Sequence, residues 1–317
     1  EFVCSPAAVR HVPVLLDECM AFLEPSKGGD FADLTFGGGG HSRAILSANS
    51  SNSLLAMDCD PDAATRSIEF KGEFSDRFRF EDSSFRNLDG VSSEDEFDGI
   101  LMDLGISSFQ LMEAEKGFSF RLDAPIDMRL DPRIGQSAAE FLESASRDSL
   151  VRAVREYGEE RRWSRVVNAI MDARGTGVLS RTMSAADLVA NAVGGHRSRQ
   201  RIHPATKTFQ GIRIAINGEL ESLALTLPKA FRGLKIGGVL AVISFHSLED
   251  RIVKRFMRKM AGRPEHKRDS RLLDERTSYG ELLKSKAIFP TKEEVIENPR
   301  SRSARLRVIK KLRNPQL

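Results

Sequence analysis

Four consecutive glycines, Gly37 to Gly40, stand where a predicted strand ends and a predicted helix begins. A glycine run in this position lets a ligand approach the backbone, because side chains there would exclude it. Two ligand classes use such a loop, dinucleotides and S-adenosylmethionine. The dinucleotide fingerprint needs glycine at its first, third and sixth positions, and counting from Gly37 the sixth position is Ser42. The loop therefore favours S-adenosylmethionine, and a flexible turn without a ligand stays open as the alternative.

Carboxylates end three predicted strands, at Asp33, Asp58 and Asp103. Open α/β folds bind ligands at the C-terminal edge of a parallel sheet, and an acidic residue after the second strand binds ribose hydroxyls. Asp58 is placed for that role, and an ordinary surface aspartate is the alternative. Downstream of Asp103, Ser107 and Gln110 supply neutral hydrogen-bonding groups, although Ser107 is equally well explained as a helix cap.

Apolar runs that alternate with helix-like stretches must position these residues. Strands separated by helical stretches predict an α/β fold with a mostly parallel sheet covered on both faces. A helix is predicted to start at His41–Leu46, directly after the glycine loop, and a turn at Gly237-Gly238 to introduce the fifth strand. The predicted strands are Phe31–Leu34, Leu54–Met57, Arg77–Phe80, Gly99–Met102, Val239–Ile243 and Arg305–Ile309.

The middle of the chain has a helical pattern, with apolar residues at three- and four-residue spacing and no strong strand. We predict an inserted helical domain of residues 117–203 within a domain formed by residues 1–116 and 204–317. A polar stretch at Gly262–Ser278 is predicted to be a mobile loop. The helical stretches are Ser137–Leu142, Asp148–Tyr157, Glu159–Ala173 and Ala185–Ala192.

Composition is that of a soluble globular protein of one or two domains, with 317 residues of which 40% are hydrophobic and 29% charged. No apolar run approaches the roughly 20 residues that span a bilayer, so no membrane partner is expected. The three cysteines lack metal-ligand and redox spacing, which predicts no metal site and favours a reducing compartment. The chain begins with Glu1-Phe2 and no methionine, so residues added by cloning and a removed targeting segment both stay open as explanations.

Positive charge concentrates in the last part of the chain. The whole protein has a net charge of +3, but from Arg251 onward 20 Lys and Arg face 8 Asp and Glu, which suggests a polyanionic partner. Arg251, Lys254, Arg255 and Arg258 recur at helical spacing and predict a basic stripe that contacts phosphates without reading sequence. A solvated helix face accounts for the same charges as an alternative.

Nine sequence blocks, in order along the chain, resemble the RsmH family (also called MraW), methyltransferases that modify a cytidine of small-subunit ribosomal RNA at its exocyclic amine. The blocks are His11–Glu18, Thr35–Ser42, Asp103–Gln110, Gly117–Phe120, Asp127–Arg129, Tyr157–Arg161, His203–Gln210, Ser244–Arg251 and Glu297–Ser303. The resemblance implies a class I methyltransferase (Rossmann-like) sheet with an inserted helical domain and S-adenosylmethionine as the cofactor.

The resemblance also implies site residues. It places Asp58 on the ribose of the cofactor and Phe85 beside its adenine. Two departures from the family pattern are a glycine at Gly38, where a larger residue is common, and Phe109, where proline is frequent. The full cofactor-binding set that it implies is Gly38, Gly39, Gly40, His41, Asp58, Phe85, Asp103 and Gln110.

Methylation of a cytosine amine requires activation of the nucleophile, whose lone pair is delocalised into the ring. The enzyme must accept hydrogen bonds from the amine and align it with the methyl group. Asp103, or a backbone carbonyl next to it, is our hypothesis for the acceptor. The base must also be single-stranded or turned out of its stack. Candidate RNA contacts are His246, Arg251, Arg255 and Lys207, with Arg213 beside the last of them.

The expected partner is small-subunit ribosomal RNA or the assembled small subunit, and a homodimer stays open. The expected location is the cytoplasm, or an organelle of bacterial descent if a targeting segment was removed. Two rival functions are a nucleotide-dependent oxidoreductase, which the failed glycine pattern disfavours, and a non-catalytic RNA-binding or assembly factor. The intact glycine loop, Asp58 and Asp103 disfavour the second rival, since a degenerate enzyme need not retain them.

Overall fold

A computed structural model describes residues 13–194, 203–266, 269 and 276–315 of the chain. These residues divide into two compact units. The sheet unit comprises the described residues up to Asp58, Asp62–Gly105 and those from Thr226 onward. The helical unit comprises Cys59–Pro61 and Ile106–Leu225.

The sheet unit is built on seven strands in the order β3-β2-β1-β4-β5-β7-β6. Strands β1 to β5 pair in parallel, whereas β7 runs antiparallel between β5 and β6. The strand order reverses between β1 and β4, which is the switch point at which open α/β sheets bind ligands. The strands are β1 Asp30–Asp33, β2 Ser53–Asp58, β3 Phe78–Asp82, β4 Phe97–Asp103, β5 Leu234–Ser244, β6 Gly280–Leu282 and β7 Arg305–Lys311.

Helices alternate with the parallel strands, while the helical unit holds α4 to α9. The predicted α/β fold with a mostly parallel sheet is confirmed, and it is the class I methyltransferase arrangement. The helices are α1 Leu16–Leu23, α2 Gly40–Ala48, α3 Pro61–Phe74, α4 Ser108–Met112, α5 Ala138–Ser144, α6 Arg147–Val151, a π-helical turn at Arg152–Tyr157, α7 Trp163–Asp172, α8 Thr182–Val193, α9 Thr206–Asn217, α10 Glu219–Gly233, α11 Ser247–Met260 and α12 Lys292–Glu297.

Each unit has its own hydrophobic core. In the sheet unit the central strands are buried almost throughout, as the burial of Phe31, Leu54 and Ile243 shows, because helices cover both faces of a parallel sheet. In the helical unit, Val166 and Ile170 of α7 pack with residues of the neighbouring helices. Each unit is therefore stabilised by a core of its own.

All six predicted strands are present, with small shifts of their ends. The turn predicted at Gly237-Gly238 is an irregularity within β5, which begins earlier, at Leu234. Gly237 has a φ of 91°, and the register against β4 shifts between the pair of Phe97 with Leu234 and the pair of Gly99 with Val239. A Cβ on Gly238 would lie 2.9 Å from the carbonyl oxygen of Phe97, so a glycine there allows the two strands to approach.

The predicted helical stretch Glu159–Ala173 is shorter than expected, because α7 starts only at Trp163 and Glu159 has a φ of 49°. The stretch Asp148–Tyr157 divides into α6 and the π-helical turn. The chain passes between the two units at 58/59, 61/62, 105/106 and 225/226. The predicted domain boundaries lie at 116/117 and 203/204, and they stay a prediction. Within the described ranges, none of the helices is both long and apolar enough to cross a bilayer.

Candidate active site

The loop between β1 and α2 is held by the carboxylate of Asp33. Asp33 is 1% exposed and accepts hydrogen bonds from Thr35 N at 3.1 Å and from Ser42 Oγ at 2.7 Å. Burial raises the pKa of Asp33, and these hydrogen bonds oppose the rise. The carboxylate is therefore a scaffold that joins the two ends of the loop, whereas its sequence position suggested a group facing the crevice.

Glycines in the loop are required by packing against the protein itself. Gly39 has a φ of 74°, a left-handed conformation that side chains disfavour. A Cβ there would lie 2.3 Å from the Phe70 ring, and a Cβ on Gly40 would lie 2.4 Å from Pro13. Gly38 is partly exposed and, unlike Gly37 and Gly39, does not have a positive φ. The glycine run thus combines two packing constraints with an accessible backbone.

Asp58, at the end of β2, binds the same loop. Its Oδ2 accepts a hydrogen bond from Gly37 N at 2.7 Å, and Arg66 Nε donates to the carbonyl oxygen of Gly37 at 3.0 Å. The loop and the acidic strand end are therefore held in a defined relation to each other. Phe85 is half-buried and begins the 3-10 turn that follows β3, at the same edge of the sheet.

Asp103 ends β4 at the switch point. Its backbone N donates to Thr35 Oγ1 at 2.6 Å, which ties it to the glycine loop. Its side chain is 19% exposed, yet its Oδ1 atom is buried and has no hydrogen-bond partner within the described part of the chain. Burial raises the pKa of Asp103 well above its usual range, and the nearby Asp33 and Glu249 raise it further. A buried carboxylate oxygen without a donor is costly unless a proton or a ligand satisfies it.

His41 is the neighbour of Asp103. Its side chain is 6% exposed, and its Nε2 lies 3.0 Å from the carbonyl oxygen of Val14, which can only accept, so Nε2 carries the hydrogen. Nδ1, which lies 3.7 Å from Asp103 Oδ2, is then a lone pair. Burial lowers the pKa of His41 to about 4, and the Val14 hydrogen bond opposes this shift. The imidazole is therefore neutral at physiological pH, and a protonated Asp103 can be accommodated beside it.

His246 has a structural role that sequence reasoning missed. It is the N-cap of α11, where its Nδ1 accepts from Glu249 N at 3.4 Å, and Glu249 Oε2 accepts from Phe245 N at 2.9 Å. Histidine is an unusual N-cap, so the capping pattern was not visible. Glu249 is 3% exposed and adds negative charge near Asp103.

The basic stripe of α11 lies mostly in solvent, since Arg251, Lys254 and Arg255 are exposed. Arg258 is half-buried and donates through its Nε to the carbonyl oxygen of Pro264. Thus the predicted stripe starts at the sheet edge that carries Asp103, since the last residues of β5 pair with the last residues of β4.

Three candidate residues lie in the helical unit. Gln110 is 5% exposed and forms a capping box with Ser107, whose backbone N donates to Gln110 Oε1 at 2.9 Å, so the cap interpretation of Ser107 is confirmed. Lys207 is exposed and donates to the carbonyl oxygen of Glu159 at 3.3 Å. Arg213 forms a largely buried two-fold ion pair with Glu219, at 2.8 and 2.9 Å, which explains its presence structurally.

Known proteins resemble this chain over nearly its whole length. The sequence profile described as the MraW methylase family matches residues 8–312. The chain belongs to the MraW methylase family. Ribosomal RNA small subunit methyltransferase H of Nitrosococcus oceani is 46% identical over 307 residues, which cover 95% of this chain and 96% of that protein. The protein of the same name from Thermomicrobium roseum is 42% identical over 323 residues, which cover 97% of this chain and 95% of that protein.

A solved structure of an rRNA methylase from Streptococcus thermophilus has a TM-score of 0.43 and 10% identity, and the match covers 96% of this chain and 99% of that one. Membership of the MraW methylase family makes the protein a methyltransferase, and its methyl donor is S-adenosylmethionine. The dinucleotide alternative for the glycine loop is thereby excluded.

The described residues fit that cofactor. S-adenosylmethionine carries a sulfonium cation, and the sheet edge presents three carboxyl groups, at Asp33, Asp103 and Glu249. Burial raises the pKa of Asp103, and Asp33 and Glu249 raise it further. The same field acts on the buried Cys19 thiol, whose pKa is raised well above its usual range by burial and then by Asp103. A cation next to Asp103 relieves this concentration of negative charge.

Proposed function

We propose that this protein transfers a methyl group from S-adenosylmethionine to the exocyclic N4 amine of a cytidine in the decoding region of small-subunit ribosomal RNA. Family membership and relatives named ribosomal RNA small subunit methyltransferase H, at 42–46% identity, support the substrate class. The observation that carries the chemistry is the buried Oδ1 of Asp103 at the switch point, to which no described residue donates a hydrogen bond.

The cofactor supplies an electrophilic methyl group on a sulfonium whose departure leaves a neutral thioether. In this proposal the backbone of Gly38, Gly39, Gly40 and His41 holds it, Asp58 takes the ribose and Phe85 packs beside the adenine. The glycine loop and Asp58 are already joined by the Gly37 hydrogen bond, which supports their acting together. The proposed parts of Asp103 and Gln110 in cofactor binding rest on the family resemblance.

Asp103 activates the amine. Its ionised carboxylate accepts a hydrogen bond from the amino group, which draws the nitrogen lone pair out of conjugation with the ring. When the N–CH₃ bond forms, the nitrogen must lose one proton, and Asp103 takes it. Nδ1 of His41 is a lone pair 3.7 Å from Oδ2, so a small rotation lets it accept a hydrogen bond from the protonated acid. His41 is therefore a positioning residue that holds this proton on Asp103.

RNA binding in this proposal uses the exposed guanidinium groups of Arg251 and Arg255 for phosphates, and Lys207 of the helical unit for a further contact. His246, which caps α11 at the same edge of the sheet, is a further proposed RNA contact. Residues 117–203 are the proposed substrate-recognition insertion. Such a substrate places the protein where bacterial-type ribosomes are, in the cytoplasm or an organelle of bacterial descent.

The test is methylation of small-subunit ribosomal RNA by the purified protein, with nucleoside mass spectrometry of the digested product. The wild type should yield N4-methylcytidine, and Asp103→Asn should lose roughly 10²- to 10⁴-fold in turnover because it cannot accept the proton. Calorimetry with S-adenosylmethionine shows whether that variant still binds the cofactor. Another methylated nucleoside would overturn the substrate, and near-normal turnover of Asp103→Asn would overturn the role of Asp103.

A further inference from the structure

A shallow cleft lined by basic side chains lies on the sheet unit, between α11 and the paired strands β6 and β7. α11 packs on both of these strands. Lys254 and Arg258 of α11 line one side of the cleft, and Lys284, which follows β6, and Arg307 of β7 line the other. None of the described residues that line the cleft is acidic. Four cations from three segments of the chain thus converge on one depression.

Two of these cations have no partner within the described ranges. Lys254 and Lys284 are exposed and form neither an ion pair nor a hydrogen bond there. Arg307 binds Asp250 at 2.7 and 3.2 Å, but Asp250 also binds Arg305 at 3.3 Å, so one carboxylate serves two guanidinium groups. Lys254 and Lys284 therefore remain available to an anion, while Asp250 and the carbonyl oxygen of Pro264 hold Arg307 and Arg258 in place.

The position of the cleft identifies the class of anion. α11 begins at Ser247, at the sheet edge that carries Asp103, and Lys254 and Arg258 lie seven and eleven residues further along. At 1.5 Å per residue these are distances of about 10 and 16 Å from the start of the helix. Exposed Arg251 and Arg255 occupy the same helix. A polyanion that leaves the active site along α11 therefore meets the cleft, whereas an isolated small anion would not need the continuous row.

We infer that Lys254, Arg258, Lys284 and Arg307 form a phosphate-binding cleft for the backbone of the substrate RNA, beyond the nucleotide that is methylated. This inference rests on the proposed RNA substrate and adds a site that the α11 stripe alone does not contain, since Lys284 follows β6 and Arg307 lies in β7. The contacts are to phosphates, so the cleft contributes affinity and register of the strand without reading bases.

The experiment compares two double variants of the full chain. Lys254→Gln with Lys284→Gln removes the two unpaired cleft charges. Lys259→Gln with Lys286→Gln is the matched control, because these exposed lysines lie on the same helix and the same loop but do not line the cleft. Fluorescence anisotropy with a labelled single-stranded oligoribonucleotide is measured between 50 and 200 mM salt, and S-adenosylmethionine binding is measured in parallel.

For the cleft variant we expect the slope of log K against log salt to fall by about 1.4, with about 25-fold weaker binding at 0.1 M salt, because each phosphate contact contributes about 0.7 to the slope. The control should change much less, and cofactor affinity should be unchanged in both. Equal losses in the two variants, with the wild type binding and methylating RNA, would overturn the cleft alone. A wild type that binds the cofactor but no RNA would overturn the cleft and the proposed substrate together.

Discussion

At the residue scale, Asp33 and Asp103 end β1 and β4 in the same way in the sequence, but their carboxylates have different roles in the structure. Asp33 accepts hydrogen bonds from Thr35 and Ser42, whereas Asp103 keeps one buried oxygen that has no partner among the residues the structure describes. Strand-end position alone predicts where such side chains lie, because parallel strands end at one edge. It does not predict which of them accepts hydrogen bonds from its own loop, since that depends on side-chain rotamers set by packing.

The environment of Asp103 predicts a pH dependence of cofactor binding. In the free protein the raised pKa of Asp103 favours its protonated form, and a bound sulfonium favours the ionised form. Binding therefore releases a proton, and affinity should rise with pH, by up to about tenfold per pH unit, until Asp103 is ionised in the free protein. Calorimetry in buffers of different ionisation enthalpy measures the released proton directly.

S-adenosylhomocysteine is the ligand control for this dependence, because it has the same nucleoside and amino-acid parts but a neutral thioether. It should show a weaker rise in affinity with pH. Asp103→Asn should flatten the curve for S-adenosylmethionine, and any dependence that remains reports Asp33, whose pKa is also raised by burial. Identical pH profiles for the wild type and Asp103→Asn would contradict the assignment.

At the scale of elements, the sequence predicts the sheet better than the helices around it. Buried parallel strands are continuous apolar runs that end in Asp or Ser, which is a strong local signal. In contrast, α10 was missed because Pro228 lies inside it, and proline normally ends a helix. β6 has only three residues, Gly280–Leu282, and is defined by its pairing with β7. Three residues are too few to give a hydrophobic periodicity in the sequence.

A glycine-to-alanine substitution should have opposite effects on the free energy of unfolding in the glycine loop and in α3. Gly39→Ala should lower the free energy of unfolding by about 1–3 kcal/mol, because it forces a strained φ and a contact of 2.3 Å with Phe70. Gly72→Ala should raise it by about 0.5–1 kcal/mol, since Gly72 is exposed near the end of α3 and a Cβ there would meet nothing within 4 Å. Urea denaturation of both variants measures the two changes, and a destabilised Gly72→Ala would contradict the second prediction.

At the scale of the whole molecule, acidic and basic side chains occupy different parts of the sheet unit. Acidic groups concentrate at the ends of β1 and β4, where a sulfonium is expected, and basic groups extend along α11 to the paired strands β6 and β7. The two patterns suit two ligands of opposite charge. The net charge of +3 conceals this arrangement, because an acidic remainder offsets the basic C-terminal part of the chain. The sequence alone shows this imbalance of charge. It does not show that Lys284 and Arg307 lie beside the basic residues of α11.

Hydrogen–deuterium exchange of the full chain can separate the two ligands. S-adenosylmethionine should slow exchange in the loop around Gly37–Ser42 and at the ends of β2 and β4, because ligand binding suppresses local opening of the segments it contacts. An oligoribonucleotide added to the cofactor-bound protein should slow exchange in α11 and in the segment that follows β6, where Lys284 lies. The Lys254→Gln, Lys284→Gln variant should lose the second effect and keep the first. If RNA instead protected only the helical unit, the basic face of α11 would have no part in substrate binding and the phosphate path inferred from the charges of the sheet unit would be wrong.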